Sequence, residues 1–387
     1  MIIKRSILSK AISQIESDQF LLFVGPRQAG KTTILKQLQM QSLHYQSTFI
    51  NLEDREFLTL LNESPKNLFK LIPPVRNQRQ FVFLDEIQYL DNPTNFLKLL
   101  FDDYRDKVKL IVSGSSAFYL DKKFHDSLVG RKIIFQVNTL SLRELFAYRH
   151  PEIRNKSIKN LSLVQKDLLS DCLYEYLMYG GYPRVVLAPL EEKAEILRDI
   201  TYSYVKKDVY EANIRNDLIF YQLLKILASQ IGNLVNASEL ANTLEVSKTA
   251  INNYLYIMQK SFHINLIPPF FKTIRKEIIK MPKVYFHDLG LRNFLTNNFS
   301  PLISRADRGQ LLENLVFRLL QENNPIEDIK FWRTISGNEV DFVVNNVAYE
   351  VKISQKQIRK SKYKLFQQKY PEMKLQFINA HNILDLI

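Results

Sequence analysis

A loop near the start of the chain has the residue types that bind phosphate groups. Gly25 and the triplet Gly30-Lys31-Thr32 fit the pattern G-x-x-x-x-G-K-[ST] in full. Glycines let backbone N–H groups wrap the phosphates, lysine brings positive charge to the outer phosphates, and the hydroxyl can ligate Mg²⁺. An apolar run precedes the loop and a helical pattern follows it, which is the context that this motif requires. We therefore expect bound ATP and Mg²⁺, with contacts from Gly25, Pro26, Arg27, Gln28, Ala29, Gly30, Lys31, Thr32 and Thr33.

A pair of acids ends a second apolar run, in "FVFLDEIQYL". We expect Asp85 to hold the Mg²⁺ together with Thr32, as the acid at the end of the matching strand does in P-loop proteins. Glu86 is placed to orient or deprotonate the attacking water. A further run, "VKLIVSGSSAF", ends in Ser113 and Ser115, and a polar group there would lie beside Asp85 in a parallel sheet. These residues predict hydrolysis of the γ-phosphate.

A second group of acids lies near the end of the chain, in "SGNEVDFVVNNVAYEVKIS", residues 336–354. A helix Glu (Glu313), a strand Asp (Asp341) and Glu-x-Lys on the next strand (Glu350, Lys352) resemble, in this order, the PD-(D/E)xK nucleases. Asp341 and Glu350 would hold a divalent cation, Mg²⁺ or Mn²⁺, with Glu313 completing the metal shell. Lys352 would orient water or stabilise the pentavalent phosphate. The alternative is a fold relic whose polar residues form a buried ion-pair network.

The surrounding pattern predicts the elements that position these groups. Apolar runs alternate with helical patterns over the first part of the chain, which is typical of a parallel sheet covered by helices. Residues 141–216 are mostly helical by pattern, with a break at Gly180-Gly181-Tyr182-Pro183. The sequence thus predicts an α/β core followed by a small helical lid.

A helix-turn-helix pattern follows the lid. Asn236 or Ser238 is expected to cap its first helix and Ser247 its second, with a wing hairpin after them. If this module reads DNA, the second helix would present Lys248, Thr249, Asn252 and Asn253 to the major groove. The single lysine on that face favours the alternative, a protein-interaction module. Basic residues of the wing favour phosphate contacts: Lys272, Arg275, Lys276, Lys280 and Lys283.

Taken in order, "GPRQAGKTT", "FLDEIQ", "VSGSSAF", "SLVGRKIIFQVNTLSLRELF" and "YGGYPRVV" resemble the prokaryotic AAA-type ATPases that carry a DUF4143 region. The resemblance implies a five-stranded P-loop core, a helical lid, a winged helix and an α/β PD-(D/E)xK-like C-terminal domain. The corresponding domains are 1–140, 141–216, 217–295 and 296–387.

The resemblance also implies roles for three further residues. Ser113 or Ser115 takes the sensor position. Arg131, in "LVGRK", matches an arginine that could reach the γ-phosphate of its own or a neighbouring subunit, so a homo-oligomer is a candidate state. The alternative for Arg131 is an ion pair with a surface carboxylate.

Composition limits the choice of partner. A net charge of +13 and an isoelectric point near 9.4 favour a polyanion such as DNA, although a solvated basic surface gives the same numbers. Cys172 alone excludes an intramolecular disulfide framework and a four-cysteine zinc site. Neither a secretory signal nor a membrane-spanning run is visible, which predicts a cytoplasmic protein without a membrane partner. A basic run near the C-terminus would contact a phosphate backbone or form a solvated helix face. It comprises Lys356, Arg359, Lys360, Lys362, Lys364 and Lys369.

The sequence therefore predicts a Mg²⁺-dependent AAA-type ATPase coupled to binding or processing of nucleic acid. Two alternatives stay open. In one, the chain is a DNA-binding regulator or mobile-element factor whose tail never cleaves. In the other, the nucleotide switches a protein-interaction, signalling or defence assembly. A small-molecule kinase fits poorly, since it needs neither a winged helix nor a second acidic site.

Overall fold

The computed structural model describes residues 3–42, 45–72, 78–114, 128–153, 156, 160–212, 214, 216–271, 277, 280–380 and 382–386. The chain divides into two compact units. The first is Met1–Thr139 with Lys260–Phe262, and the second is Leu140–Gln259 with His263–Ile387. This division falls next to the predicted end of the ATPase core at residue 140. The predicted divisions at residues 216 and 295 stay predictions.

The first unit is built on a parallel sheet with the strand order β2-β3-β4-β1-β5. Its strands are β1 (Phe20–Val24), β2 (Ser47–Asn51), β3 (Gln80–Asp85), β4 (Val108–Gly114) and β5 (Lys132–Gln136). The inner strands β1, β3 and β4 are buried along their whole length, which explains why most of their residues are apolar. The predicted α/β parallel-sheet core is confirmed.

Helices cover both faces of this sheet. They are α1 (Ile7–Ile12), α2 (Lys31–Gln41), α3 (Arg55–Glu63), α4 (Leu68–Leu71) and α5 (Pro93–Tyr104). Successive residues of β1 point to opposite faces, so Leu22 packs with residues of α3, α4 and α5 while Leu21 packs with residues of α1 and α2. The site-bearing loops are therefore held by two apolar layers.

The second unit begins with helices, as its pattern predicts. These are α6 (Leu142–Arg149), α7 (Leu163–Tyr179), α8 (Pro183–Leu187) and α9 (Lys193–Glu211). Capping boxes start α6 at Ser141 and α7 at Ser162, because each hydroxyl accepts a backbone N–H three residues on. The predicted break follows α7, where Gly180 has φ +70°. None of the described helices is long and apolar enough to cross a bilayer.

The segment predicted to form the helix-turn-helix module consists of helices and a two-stranded sheet. It comprises α10 (Asp217–Ser229), α11 (Ala237–Thr243) and α12 (Lys248–Lys260), followed by the antiparallel strands β6 (Ile264–Ile267) and β7 (Lys283–Phe286). Asn236 caps α11 and Ser247 caps α12, as predicted. The four predicted recognition residues are exposed on α12. Their role in binding DNA stays a prediction.

The C-terminal part is an α/β arrangement with a mixed sheet of order β11-β10-β9-β8. Its elements are α13 (Leu289–Leu295), α14 (Arg308–Asn323), β8 (Ile329–Arg333), β9 (Glu339–Val344), β10 (Val347–Val351), α15 (Lys364–Lys369) and β11 (Lys374–Ile378). Tyr349 of β10 pairs with Phe342 of β9. The next positions along the two strands are Glu350 and Asp341, so the antiparallel register brings these acids side by side.

Candidate functional site

The phosphate-binding loop connects the buried end of β1 to the first turn of α2. A Cβ atom on Gly25 would lie 1.9 Å from the Val137 carbonyl oxygen, so only glycine fits there. Gln28 and Gly30 have φ angles of +58° and +93°. Left-handed residues turn the backbone back on itself and form concavities that bind anions. The amino end of α2 adds the positive end of its dipole.

Lys31 lies folded over this loop. Its side chain is buried, and its Nζ donates to the carbonyl oxygens of Gly25 at 3.1 Å and Pro26 at 2.9 Å. These partners are backbone acceptors at the loop that is expected to hold the phosphates. The Lys31 amine thus lies at the predicted phosphate-binding loop.

A three-residue network joins α2, β3 and β4 next to the loop. Thr32 Oγ1 donates to Asp85 Oδ2 at 2.6 Å, and the Ser113 hydroxyl donates to Asp85 Oδ1. Burial raises the pKa of Asp85 above its usual range, and the hydrogen bonds from Ser113 and Thr32 oppose this rise. Oxygen atoms of Thr32 and Asp85 are a donor set that suits Mg²⁺. The two predicted Mg²⁺ ligands therefore lie together.

Glu86 follows directly and has an unusual backbone. Its φ and ψ are +61° and +50°, a left-handed conformation that costs a residue with a side chain about 1–2 kcal/mol. Its N–H donates to Ser113 Oγ at 3.0 Å, and its carboxylate accepts a hydrogen bond from Gln88 Nε2. Strained residues of this kind concentrate at functional sites. Gln88 was missed by the sequence analysis, since an amide two residues after an acid is not a recognisable signal.

The other residues predicted to contact the nucleotide differ in how exposed their side chains are. Pro26, Arg27 and Ala29 are buried, whereas Gln28 and Thr33 have exposed side chains. Ser115, the second candidate for the sensor, lies outside the described residues, which leaves Ser113 as the serine seen beside Asp85.

Arg131 lies away from this site within the chain. It precedes β5, and its carbonyl oxygen accepts from the N–H of Phe20, the first residue of β1. The phosphate-binding loop follows the last residue of β1, whereas Arg131 lies beside the first. Arg131 is therefore at the end of the strands opposite to the loop. Its side chain pairs with Asp102 at 2.7 Å. The arrangement thus matches the surface-carboxylate alternative and does not bring Arg131 to the loop of its own chain.

The C-terminal acids lie close together but each has a protein partner. Asp341 Oδ2 accepts from the Val351 N–H at 2.8 Å, and the Lys352 amine donates to Glu350. Burial, followed by the charge of Asp341, raises the pKa of Glu350 to about 7. Asp341, Glu350 and Lys352 thus do meet where β9 and β10 run side by side, as predicted.

Lys283 on β7 reaches the same region. Its Nζ lies 3.0 Å from Glu313 Oε1, 2.5 Å from Glu339 Oε1 and 3.7 Å from Asp341 Oδ1. We call Glu313, Glu339 and Asp341 the carboxylate cluster. Lys283 is 1% exposed, so its prediction as a phosphate contact of the wing is wrong. The apolar strand around it, "KVYF", was the available signal of burial.

The structure does not support the predicted second metal site. Among the described residues, no group of three or more His, Cys, Asp or Glu side chains is arranged to hold a metal ion. Of the predicted ligands, Glu313 and Asp341 face the Lys283 amine, and Glu350 faces the Lys352 amine. The ammonium groups of Lys283 and Lys352 thus take the place of the predicted metal ion.

Known relatives resemble the chain over most of its length. The uncharacterized protein MJ1544 of Methanocaldococcus jannaschii is 27% identical over 98% of this chain and 84% of its own. An uncharacterized protein of Haemophilus influenzae is 26% identical over 89% of this chain and 84% of its own.

Among solved structures, the Walker-type ATPase PABY2304 of Pyrococcus abyssi has a TM-score of 0.49 and 14% identity, covering 76% of this chain and 96% of that one. The ORC2 protein of Aeropyrum pernix in its ADPNP–ADP complexes has a TM-score of 0.42 and 13% identity, covering 75% and 90%.

Three family models match successive parts of the chain. Residues 17–146 match the AAA domain family AAA_14, residues 170–302 the domain of unknown function DUF8612, and residues 308–383 the domain of unknown function DUF4143. The AAA match contains the phosphate-binding loop and the Asp85 network, and the DUF4143 match contains all four strands of the C-terminal sheet. The matched regions are thus, in order along the chain, an AAA domain and a C-terminal DUF4143 domain, as the resemblance predicted.

Proposed function

We propose that this protein binds ATP with Mg²⁺ in its first unit and hydrolyses it. One observation carries the proposal most directly: Asp85 is held between the hydroxyls of Thr32 and Ser113, beside a complete phosphate-binding loop. Structural roles alone would not require a buried acid, two hydroxyls and a strained glutamate at the same edge of the sheet.

Each side chain has a distinct task in this proposal. Lys31 would transfer its hydrogen bonds from backbone carbonyls of the loop to the outer phosphates. Mg²⁺, when bound between Thr32 and Asp85, supplies positive charge to the phosphate oxygens. Glu86 holds or deprotonates the attacking water, and Gln88 and Ser113 fix its carboxylate and its backbone. The low exposure of Asp85 keeps water from competing for its oxygens.

Two substitutions test this proposal. Lys31→Ala should abolish binding of a fluorescent ATP analogue. Glu86→Gln should keep binding and lower the hydrolysis rate by about 100-fold or more, since a general base typically contributes this much. Glu56→Gln, which neutralises an exposed acid on α3, is the matched control and should behave like the wild type. A wild-type rate in Glu86→Gln would show that another group activates the water.

A second, finer proposal concerns nucleic acid. We define the basic segment as residues 356–369; it holds six Lys or Arg residues and no acid. All six are exposed. Tyr363 and Phe366 are buried in a core cluster with Trp332, and Tyr370, which follows the segment, joins them. The segment is thus fastened by apolar side chains, and its charges are displayed on a fixed surface.

An ordered row of unopposed cations suits a phosphate backbone, because each contact releases a condensed counterion. We therefore propose that ATP turnover is coupled to nucleic acid bound at the basic segment. Lys360→Glu with Lys364→Glu should weaken binding to duplex DNA and lower the slope of log K against log salt by about 2. Lys248→Glu on α12 tests the helix-turn-helix by the same readout.

The alternative function is a nucleotide-controlled assembly with protein partners. The lysine contacts in the carboxylate cluster favour it, because they suit a scaffold. Its signature would be ATP held for minutes, assembly that depends on ATP, and hydrolysis that DNA does not change. Measuring hydrolysis with and without single- and double-stranded DNA separates the two functions.

A further inference from the structure

The carboxylate cluster is assembled from separate parts of the second unit. Glu313 comes from α14, Glu339 and Asp341 come from β9, and Lys283 reaches them from β7. Phe331 of β8 completes the surroundings, with its ring centroid 5.5 Å from the Lys283 amine. A buried ammonium thus lies at the meeting point of the three carboxylates.

The remaining contacts of the three carboxylates also come from protein donors. The Tyr285 hydroxyl donates to Glu313, Arg333 lies 3.2 Å from Glu339 Oε2, and the Val351 N–H binds Asp341. Metal ions take carboxylate oxygens at about 2.0–2.6 Å, and they need those oxygens free. With Lys283 in place, the cluster does not fit a metal ion.

The charges of the cluster are also unequal. Three carboxylates lie beside two cationic groups, Lys283 and Arg333, so the group is short of positive charge even with Lys283 in place. Removing the ammonium would leave three carboxylates facing Arg333 alone, and this added negative charge would attract a cation.

We infer that Lys283 occupies the cation site of the carboxylate cluster and excludes divalent metal from it. The DUF4143 domain of this chain then lacks the metal that phosphodiester cleavage at this cluster would require. Lys283 instead ties β7 to α14 and β9. This inference concerns only the C-terminal cluster, and it stands or falls independently of ATP hydrolysis in the first unit.

Binding of Mn²⁺, followed by loss of the free-ion EPR signal, tests this inference on the full chain. An Asp85→Asn background removes the metal ligand of the first unit from all samples. With Lys283 intact, we expect no Mn²⁺ binding that depends on Asp341. Adding Lys283→Met should create one Mn²⁺ site that is lost again with Asp341→Asn.

Lys193→Met is the matched control. Lys193 is also a buried lysine of the second unit, but Glu175, at 3.2 Å, is its carboxylate partner. Its removal should create no Mn²⁺ site, so a gain there would overturn the inference by showing that any lost lysine has this effect. No gain in Lys283→Met, with the native near-UV circular dichroism retained, would overturn it too.

Misfolding of Lys283→Met would not remove the test. The comparison of Asp85→Asn with Asp85→Asn/Asp341→Asn uses only proteins that keep Lys283. Equal Mn²⁺ binding in these two proteins supports the inference. Binding that Asp341→Asn abolishes would show that the cluster accepts a metal beside the lysine, and would overturn it.

Discussion

Asp85 is buried, yet its proposed role requires a negative charge. Its hydrogen-bond donors explain how the carboxylate is stabilised. A carboxylate removed from water resists ionisation, which is why burial raises its pKa. Hydroxyl donors from Thr32 and Ser113 favour the ionised form and fix the direction of its oxygens. Ser113 also accepts the Glu86 N–H, so one hydroxyl positions both acids of the site. We therefore regard Ser113 as a positioning residue.

Replacing Ser113 with alanine tests this role. The change removes a donor to Asp85 and an acceptor for Glu86. Hydrogen bonds to charged groups contribute about 1.5–3 kcal/mol, so we expect hydrolysis to fall roughly 10- to 100-fold. Because the loop itself is unchanged, KM for ATP should change little. Steady-state kinetics give the two parameters separately.

Ser42→Ala is the matched control for this substitution. It also deletes a buried hydroxyl of the first unit, whose hydrogen bond goes to the Leu38 carbonyl within its own helix region. Its kcat should equal that of the wild type. If both variants lose activity equally, the effect of Ser113→Ala is a general loss of stability and the positioning role is wrong.

The sequence predicts functional residues well when they lie close together along the chain. The glycines, Lys31 and Thr32 form one contiguous pattern, and the Asp85-Glu86 pair ends one strand. Lys283 could not be found in this way, because its partners lie on other elements far along the chain. Its assignment to an exposed wing failed because burial depends on which elements pack against β7.

Gly25 shows how two elements restrict one position. Gly25 directly follows β1, and Val137 directly follows the neighbouring strand β5. The Val137 N–H donates to the Val24 carbonyl oxygen at 2.7 Å. Gly25→Ala would force a Cβ against the Val137 carbonyl. We expect a loss of about 2–3 kcal/mol in unfolding free energy, as overpacking usually costs, together with loss of ATP binding. Denaturant unfolding followed by far-UV circular dichroism measures the first effect.

Gly130→Ala is the comparison for Gly25→Ala. A Cβ at Gly130 meets nothing within 4 Å, but its φ is +77°. Only backbone strain opposes this change, at about 1 kcal/mol. A cost at Gly130 equal to that at Gly25 would contradict the packing explanation.

Helix α14 carries a half-buried acid, Glu322, whose Oε1 is enclosed by the protein and accepts no hydrogen bond. Burial raises the pKa of Glu322 to about 7, opposed first by the charge of Arg318 on the same helix. Glu144 and Arg143 of α6 are the other charged groups that act on it. The unfolded chain ionises this carboxyl near pH 4.3, while the folded chain keeps it protonated until about pH 7. Stability is therefore lost as pH rises through this interval.

Glu322→Gln should remove that pH-dependent loss. At pH 8 the variant should be more stable than the wild type by about 1–3 kcal/mol, and below pH 4 the difference should vanish. Glu327→Gln, an exposed acid after α14, is the control and should keep the wild-type profile. Denaturant titrations at pH 4, 6 and 8 measure the difference. Equal stabilities at pH 8 would show that Glu322 is ionised without cost in the folded protein.

Elements with strong local signals were predicted from the sequence, and those without were not. Capping residues such as Asn236 and Ser247 mark helix starts because their side chains bind nearby N–H groups. The strands of the first unit follow from unbroken apolar runs. The pairing of β10 with β11 in parallel depends on long-range packing, and no local pattern encodes it.

At the scale of the whole molecule, the position of Arg131 bears on assembly. The β1–β5 register pairs Phe20 with Lys132 and Val24 with Gln136. At about 3.3 Å per residue, Arg131 therefore lies roughly one strand length from the loop that follows Val24. The side chain is partly exposed at 28%, on the surface of the first unit. A catalytic role for Arg131 thus requires a second copy of the chain, which makes the predicted homo-oligomer testable.

Mixing two inactive variants tests whether Arg131 acts on a neighbouring subunit. Arg131→Ala should lower hydrolysis about 1000-fold, the smaller loss typical of a missing arginine finger. Lys31→Ala chains bind no ATP but still carry Arg131, so in a mixed assembly they can complete the sites of Arg131→Ala chains. An equal mixture should recover up to about one quarter of the wild-type rate, since half the chains have intact loops and half their neighbours donate the arginine. A wild-type rate in Arg131→Ala alone would assign Arg131 to its ion pair with Asp102, and an inactive mixture would exclude action between subunits.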